Sequence, residues 1–305
     1  MYSLPPGIEV FERGWLSANN IFHYGTDDVS LVDSGYCSHQ AMTMGLVENA
    51  ISKHGLKTLN KAVNTHLHSD HCGGNAQLHQ NFDCAIQIPA AEALAVQDWN
   101  QNLLSYQNLG QECPRFQYDG LLVPGEEIVL GRYSWKILAA PGHDPHSVML
   151  YLEQLGILIS ADALWEEGFG VIFPELWGES GFEEVAQTLD LIEGLDISLV
   201  IPGHGKPFMD VATSLDTARS RLDYLASDPD RNARHGAKVL LKFKLLEWRS
   251  RDLGLVNRWI TETPALRSAA KQLNMDMEAF CGWLPQALVK SGAATIDGNV
   301  LLDKA

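Results

Sequence analysis

The sequence predicts a mixed α/β protein: a large α+β part followed by a small winged-helix-like α+β part. Three observations carry this reading. Short strand-like runs interleave with helical periodicity up to about residue 227. Several of those strands are joined as hairpins, which excludes a purely parallel doubly wound sheet. The charge balance then reverses at Asp228–Arg231, where Asp-Pro-Asp supplies turn chemistry, so the expected domains are residues 1–230 and 231–305.

Taken in order, apolar–polar alternation marks strands at Ile8–Phe11, Asn20–His23 and Val29–Asp33, with Gly25–Asp28 turning the last two into a hairpin. Ser38–His54 has helical periodicity, with Ser38 as the expected cap and Gly55 as the stop. Leu59–Thr65 is a short strand leading to His66; Cys84–Ile88 is a strand and Ala90–Trp99 a helix. Residues 100–120 are polar and turn-rich yet carry Tyr106, Phe116 and Tyr118, which suits either a substrate lid or a loop pinned by its aromatics. Strands follow at Glu127–Leu130, Ser134–Ala139, Val148–Leu152 and Ile157–Ser160, then helix Phe182–Ile192, strand Ser198–Ile201 and a helix over Val211–Ser227. The C-terminal part reads as helices Ala233–Arg251, Pro264–Leu273 and Met277–Ser291, the last kinked or interrupted at Pro285. A hairpin over Ala294–Leu302, turning at Asp297-Gly298-Asn299, completes the winged-helix pattern.

Composition narrows the function classes. With 46% hydrophobic and 20% charged residues the chain is that of an ordinary globular protein. No apolar run reaches the roughly 18 residues that span a bilayer. Met1–Arg13 lacks the basic flank and apolar stretch of a signal peptide, so a cytoplasmic location and no membrane partner are expected. The five cysteines are odd in number and widely spaced without a C-x-x-C pair, which reads as reduced thiols; Cys72, beside His71, reads as a small buried residue. Net charge is −16 but uneven: residues 231–305 hold 12 basic and 7 acidic side chains, a net +5, which leaves −21 on the rest. A larger part this acidic repels a polyanion, whereas the C-terminal part alone tolerates one.

The decisive segment is Asn64-Thr65-His66-Leu67-His68-Ser69-Asp70-His71. His66 and His68 lie two apart at a strand end and project to one side. Asp70 and His71 come from the following turn, where Gly73 and Gly74 are expected to let the backbone bend. Three further candidates each follow a predicted strand: His143 in Pro141-Gly142-His143, Asp162, and His204 in Pro202-Gly203-His204. Strand ends on a rigid sheet can converge side chains on one site. The set divides into His66, His68 and His143 for one ion and Asp70, His71 and His204 for another, with Asp162 between them. Imidazole and carboxylate without thiolate suit two divalent ions, zinc ahead of iron or manganese. One histidine alone says little; the clustered H-x-H-x-D-H is a strong signal.

Thr65–Gly74, Pro141–Ser147, Ser160-Ala161-Asp162 and Pro202–Gly205 resemble the metallo-β-lactamase superfamily in its glyoxalase II-like branch. The resemblance covers about residues 8–227. It implies an αββα sandwich with the metals at one edge of its two sheets, and the ligand division above matches the family's pattern. The winged helix resembles that of the β-lactamase-like endoribonucleases of the same superfamily. Two departures stand out. Asp144-Pro145-His146-Ser147 replaces the commoner Thr-Pro-Gly-Ser, placing Asp144 and His146 as candidates to support the ligands. Ala161 replaces the commoner Gly before the bridging Asp.

The expected activity is metal-dependent hydrolysis, with a bridging hydroxide attacking an ester, thioester or lactone carbonyl and Asp70 as ligand and catalytic group. Trp165, Phe169, Phe173 and Trp177 follow Asp162 in a stretch broken by Gly168, Gly170 and Pro174, so an apolar wall beside the metals is expected rather than a helical stripe. Such a wall suits a small-molecule substrate. Rival readings are an endoribonuclease whose winged helix contacts nucleic acid, a mono-iron sulfur dioxygenase, and a non-catalytic nucleic-acid-binding module with a structural metal. The C-terminal aromatics Trp248, Trp259, Phe280 and Trp283 favour packing or homodimerisation over nucleic-acid contact. H-E-x-x-H, G-x-S-x-G and a Walker loop are missing from the chain.

Overall fold

A computed structural model describes residues 2–304. The first sheet has six strands in the order β1 (Ile8–Phe11), β2 (Asn20–Tyr24), β3 (Val29–Val32), β4 (Lys61–Val63), β5 (Ala85–Pro89) and β6 (Gly120–Leu122). β1 to β3 pair antiparallel and β3 to β6 parallel. The second sheet has five, running β11-β10-β9-β8-β7, from β7 (Glu127–Leu130), β8 (Tyr133–Ala139), β9 (Val148–Leu152), β10 (Ile157–Ala161) and β11 (Leu199–Pro202). Only β10 and β11 pair parallel in it.

Period-two alternation along these strands stacks the sheets into layers. Ile21, Val32 and Val63 of the first sheet meet Val148, Leu150, Ile157, Ile159, Leu199 and Ile201 of the second in a shared core. Their neighbours face outward. Phe22, Leu31, Ala62 and Ile86 pack under helices α1 (Gln40–Lys53), α2 (Ser69–Cys72), α3 (Asn75–Phe82) and α4 (Ala93–Asp98). Met149, Tyr151, Leu158 and Val200 pack under α6 (Phe182–Glu193) and α7 (Val211–Ala226). The result is an αββα sandwich. Within 100–120, a short helix α5 (Tyr106–Leu109) forms, and Tyr106 and Phe116 are buried in the first sheet's outer core, so the aromatics pin this segment.

An additional α+β region follows: α8 (Pro229–Trp248), β12 (Ser250–Asp252), α9 (Leu253–Glu262), α10 (Pro264–Gln272), α11 (Met277–Lys290), β13 (Ala294–Asp297) and β14 (Val300–Asp303). Its strands form a sheet in the order β12-β14-β13. Its core takes in Val171, Phe173, Leu176 and Leu109 of the sandwich.

Several sequence expectations are corrected here. α8 starts at Pro229, not Ala233, because the Asp228 side chain accepts the Asp230 N–H and proline fits the first helical turn; Asp-Pro-Asp is a helix start. Ser38 does not cap α1; it lies in a 3₁₀ turn, Cys37–His39, ahead of it. α9 and β12 were not expected; Asp252 caps α9 by accepting the N–H groups of Gly254 and Leu255. α11 runs on through Pro285 as one helix, with Pro285 on its buried side. No helix of the described residues is long and apolar enough to cross a membrane.

Candidate metal centre

All seven sequence-predicted ligands converge at the edge of the sandwich where the strands end. Three sets bring ligand atoms within 4.8 Å of one another: His66, His68 and His143; Asp70, His71 and His204; and His66, His71 and Asp162, which joins the first two. In the first set His68 Nδ1 stands 3.1 Å from His66 Nε2 and 2.8 Å from His143 Nε2. In the second, Asp70 Oδ2 is 3.2 Å from His204 Nε2 and 4.0 Å from His71 Nε2. Asp162 reaches both, with Oδ1 3.5 Å from His71 Nε2 and Oδ2 3.4 Å from His143 Nε2.

The strand ends are tied together by backbone. Val148 N–H donates to Thr65 O across the sheets, Ala18 N–H to Asp70 O, and Asn19 N–H to Gly203 O. A Cβ on Gly203 would collide with Asp162 Oδ1 and sit 3.0 Å from His71 Cε1, so only glycine lets the β11 loop close on the site. Gly73 and Gly74 serve the same end; Gly73 is right-handed, and a Cβ there would lie 2.6 Å from Cys37 N. They allow close approach, not the bend expected from sequence. Ala161 does adopt left-handed backbone, φ 49°, where β10 breaks register with β11. That conformation explains why glycine is the commoner residue there.

Hydrogen bonds fix the histidine tautomers. His71 Nδ1 donates to Asp33 Oδ2 at 2.8 Å and His143 Nδ1 to Val171 O at 2.6 Å, which leaves both Nε2 lone pairs facing inward. His71 Nε2 is buried without a hydrogen-bond partner. An orphaned ring nitrogen aimed at two carboxylates, beside three converging imidazole nitrogens, fits a cation, a proton or a metal ion alike.

The electrostatics agree. Burial lowers His66 well below its ordinary range and, with His143 nearby, His68 to about 4, so both are neutral ligands at pH 7. Burial also opposes charge on His71, yet Asp33, Asp162 and Asp70 together raise its pKa well above normal. Burial would raise Asp162 and Asp70, but the neighbouring histidines hold both low. The pocket is built to hold positive charge.

Five of the seven, His68, Asp70, His143, Asp162 and His204, open onto a cavity of about 640 Å³; His66 and His71 are sealed behind them. Trp165, Phe169 and Phe173 line it, the expected apolar wall, while Trp177 packs into the C-terminal core instead. Asp144 is buried, with Oδ2 3.6 Å from His68 Nε2. The His146 side chain is exposed and outside the cavity lining; only its N–H reaches Asp144.

Sequence reasoning missed several residues. Asp33 ends the β3 run as an acidic residue after an apolar strand, a signal too common to single it out. Trp15 is 58% exposed, lines the cavity and stacks on His204 with centroids 5.5 Å apart. Glu92 is buried near Asp144; burial and that charge push its pKa up to about 8. Arg221, His235, Lys238 and Phe243 also line the cavity, the last three from α8.

Residues 13–204 match the metallo-beta-lactamase superfamily, and the chain belongs to it. Within that superfamily it is a metal-dependent hydrolase. It is 29% identical over 206 residues to a probable metallo-hydrolase of Bacillus subtilis, a match spanning 67% of this chain and 92% of that one. It is 26% identical over 177 residues to a hydroxyacylglutathione hydrolase of Idiomarina loihiensis, spanning 57% of this chain and about half, 56%, of that one. Two solved structures share the fold across nearly the whole chain. A beta-lactamase domain protein from Burkholderia ambifaria superposes with a TM-score of 0.62 at 19% identity, covering 99% of this chain and 94% of that one. A metallo-beta-lactamase family protein from Thermus thermophilus gives 0.58 at 19% identity, covering 99% and 100%.

Proposed function

We propose that the protein is a dizinc hydrolase of a small acyl substrate, cleaving an ester, thioester or lactone carbonyl. One observation carries this reading: an open His/Asp centre faces a cavity of about 640 Å³ walled by Trp165, Phe169 and Phe173. An apolar wall beside the ligands suits an acyl chain better than a phosphate backbone. His66, His68 and His143 would hold one ion, Asp70, His71 and His204 the other, with Asp162 shared. Bound there, a pair of divalent ions supplies a hydroxide near neutral pH and polarises the carbonyl. Asp70 lines the cavity, and the carboxylate oxygen it does not lend to the ion would accept a proton from the nucleophile and pass it to the leaving group. Trp165 Nε1 donates to Asp162 Oδ1 at 3.3 Å and holds that carboxylate in position. The hydroxyacylglutathione hydrolase relatives support a thioester among the three.

We read the C-terminal order of helix, strand, helices and hairpin as a winged helix. Because α8 walls the catalytic cavity, it acts here in shaping the substrate site, with nucleic-acid binding the second reading. The test is metal analysis of the purified protein, then chelator-controlled assays on thioester, lactone, β-lactam and single-stranded RNA substrates. Zinc near two per chain and chelator-sensitive carbonyl cleavage support the proposal. RNA cleavage alone, or iron with oxygen uptake on a persulfide, overturns it.

A further inference from the structure

Arg221 stands in the metal-site cavity as a charge without a counter-ion. It projects from α7 and lines the same cavity as His68, Asp70, Asp162 and His204. Its guanidinium carbon lies 5.1 Å from the Phe169 ring centroid, and Nη2 donates to His235 Nε2 at 2.8 Å. On the other side it packs against Gly168, whose φ of +116° favours glycine by itself and where an added Cβ would lie 2.8 Å from Nη1. Among the described residues no Asp or Glu oxygen lies within 4.0 Å of it. Glu166 and Glu167 line the cavity too, but as exposed side chains.

Everything around Arg221 positions it, and nothing neutralises it. Burial lowers its pKa with no carboxylate acting the other way. His235 is kept neutral, pushed down to about 4 by burial and by Arg221 itself, so its ring acts as an acceptor that fixes the guanidinium. Lys238, three residues further along α8, and Lys206, two after His204, line the same cavity. Arg221 is half-buried, and a guanidinium partly withdrawn from water gains when an anion meets it. Its planar fork suits a carboxylate or phosphate, which it can grip through two parallel hydrogen bonds.

We propose that Arg221, oriented by His235 and supported by Lys238, forms an oxyanion-recognition subsite that selects acyl compounds carrying a carboxylate or phosphate away from the scissile carbonyl. The inference rests on the hydrolase reading above. It also reconciles an acidic catalytic part with an anionic substrate, because the cationic groups are gathered at one wall of the cavity.

The test compares three thioesters on the metal-loaded full chain: valeryl-N-acetylcysteamine, which is neutral; glutaryl-N-acetylcysteamine, with a carboxylate on the acyl side; and valeryl-coenzyme A, with phosphates on the leaving group. The wild type should favour one anionic compound over the neutral one by tenfold or more in kcat/KM, mainly through KM. Which compound is favoured identifies the source of the oxyanion. Arg221→Gln should bring that ratio to near parity, Arg221→Lys should restore part of it, and Lys238→Ala should reduce it by a smaller factor. A wild-type ratio near one, or a ratio that Arg221→Gln and Lys238→Ala both leave intact, overturns the subsite. Calorimetric titration with glutarate and inorganic phosphate gives a readout independent of turnover. At least tenfold weaker binding of one of them to Arg221→Gln supports the subsite even where all three thioesters resist hydrolysis, an outcome that refutes only the thioester reading. Equal binding to both proteins counts against it.

Discussion

Asp33 Oδ2 and His71 Nδ1 lie 2.8 Å apart, both buried, and this contact aims the opposite ring nitrogen at Asp162 and Asp70. The same carboxylate accepts the Thr65 N–H and hydroxyl, which anchors the start of the histidine segment. Asp33→Asn leaves the shape but weakens the acceptor, so metal affinity should fall about ten- to hundredfold. Competition with a chromophoric chelator measures this; unchanged affinity refutes the role.

Asp70 and Asp162 supply the carboxylates of the centre. Asp70→Ala and Asp162→Ala should each abolish turnover and lower the metal content found by elemental analysis. Stripping the wild type with a chelator should do the same, and adding zinc back should restore it. Full turnover by metal-free protein would exclude the mechanism.

His23 gives a pH dependence that the metal site does not touch. It is buried in the core against Trp135, ring centroids 5.2 Å apart, with neither ring nitrogen hydrogen-bonded, and burial pushes its pKa down to about 3. Unfolded, a histidine takes up a proton below about pH 6.5. The unfolded state therefore binds the extra proton between about pH 6.5 and 3, and stability falls with pH across that window by at most about 1.4 kcal/mol per unit. His23→Leu should remove this contribution, so the fall in Tm from pH 7 to pH 4 becomes shallower than in the wild type. Parallel Tm profiles would show that His23 does not contribute.

Ending the chain before Pro229 should not leave a stable enzyme. Val171, Phe173 and Leu176 would lose the α8 and α10 side of their core, and Tyr36 would lose Phe243. Removing several buried contacts of this kind exceeds the few kcal/mol by which domains are stable. Such a chain is expected to aggregate or lose its cooperative melt. A soluble, metal-loaded product would establish residues 1–228 as an independent domain.

How far the sequence could be read depended on whether function sits in local spacing. H-x-H-x-D-H places four ligands within six residues, and Pro-Gly-His twice follows an apolar strand, so the centre is written in short stretches. Trp165, Phe169 and Phe173 were legible because Gly168, Gly170 and Pro174 forbid the helix that would have hidden them. Arg221 and Lys238 were not. Helical periodicity tells which side of α7 or α8 is polar, but not that this side faces a cavity. The α9 helix is hard to read from sequence because its capping Asp252 is followed two residues on by Gly254, a residue that lowers helix propensity. Pro285 misled in the other direction: packing of Phe280, Cys281, Leu284 and Leu288 carries α11 past it.

The indole of Trp15 lies over the ring of His204, and Trp165 stands edge-on to both, with centroids 5.3 Å and 5.6 Å away. The centre therefore carries its own optical gauge. An ion entering beside His204 changes the field around two indoles, and a paramagnetic one such as cobalt drains their excited state. Loading can then be followed by emission on the unlabelled protein, and Trp15→Phe separates the Trp15 part of the signal from that of Trp165.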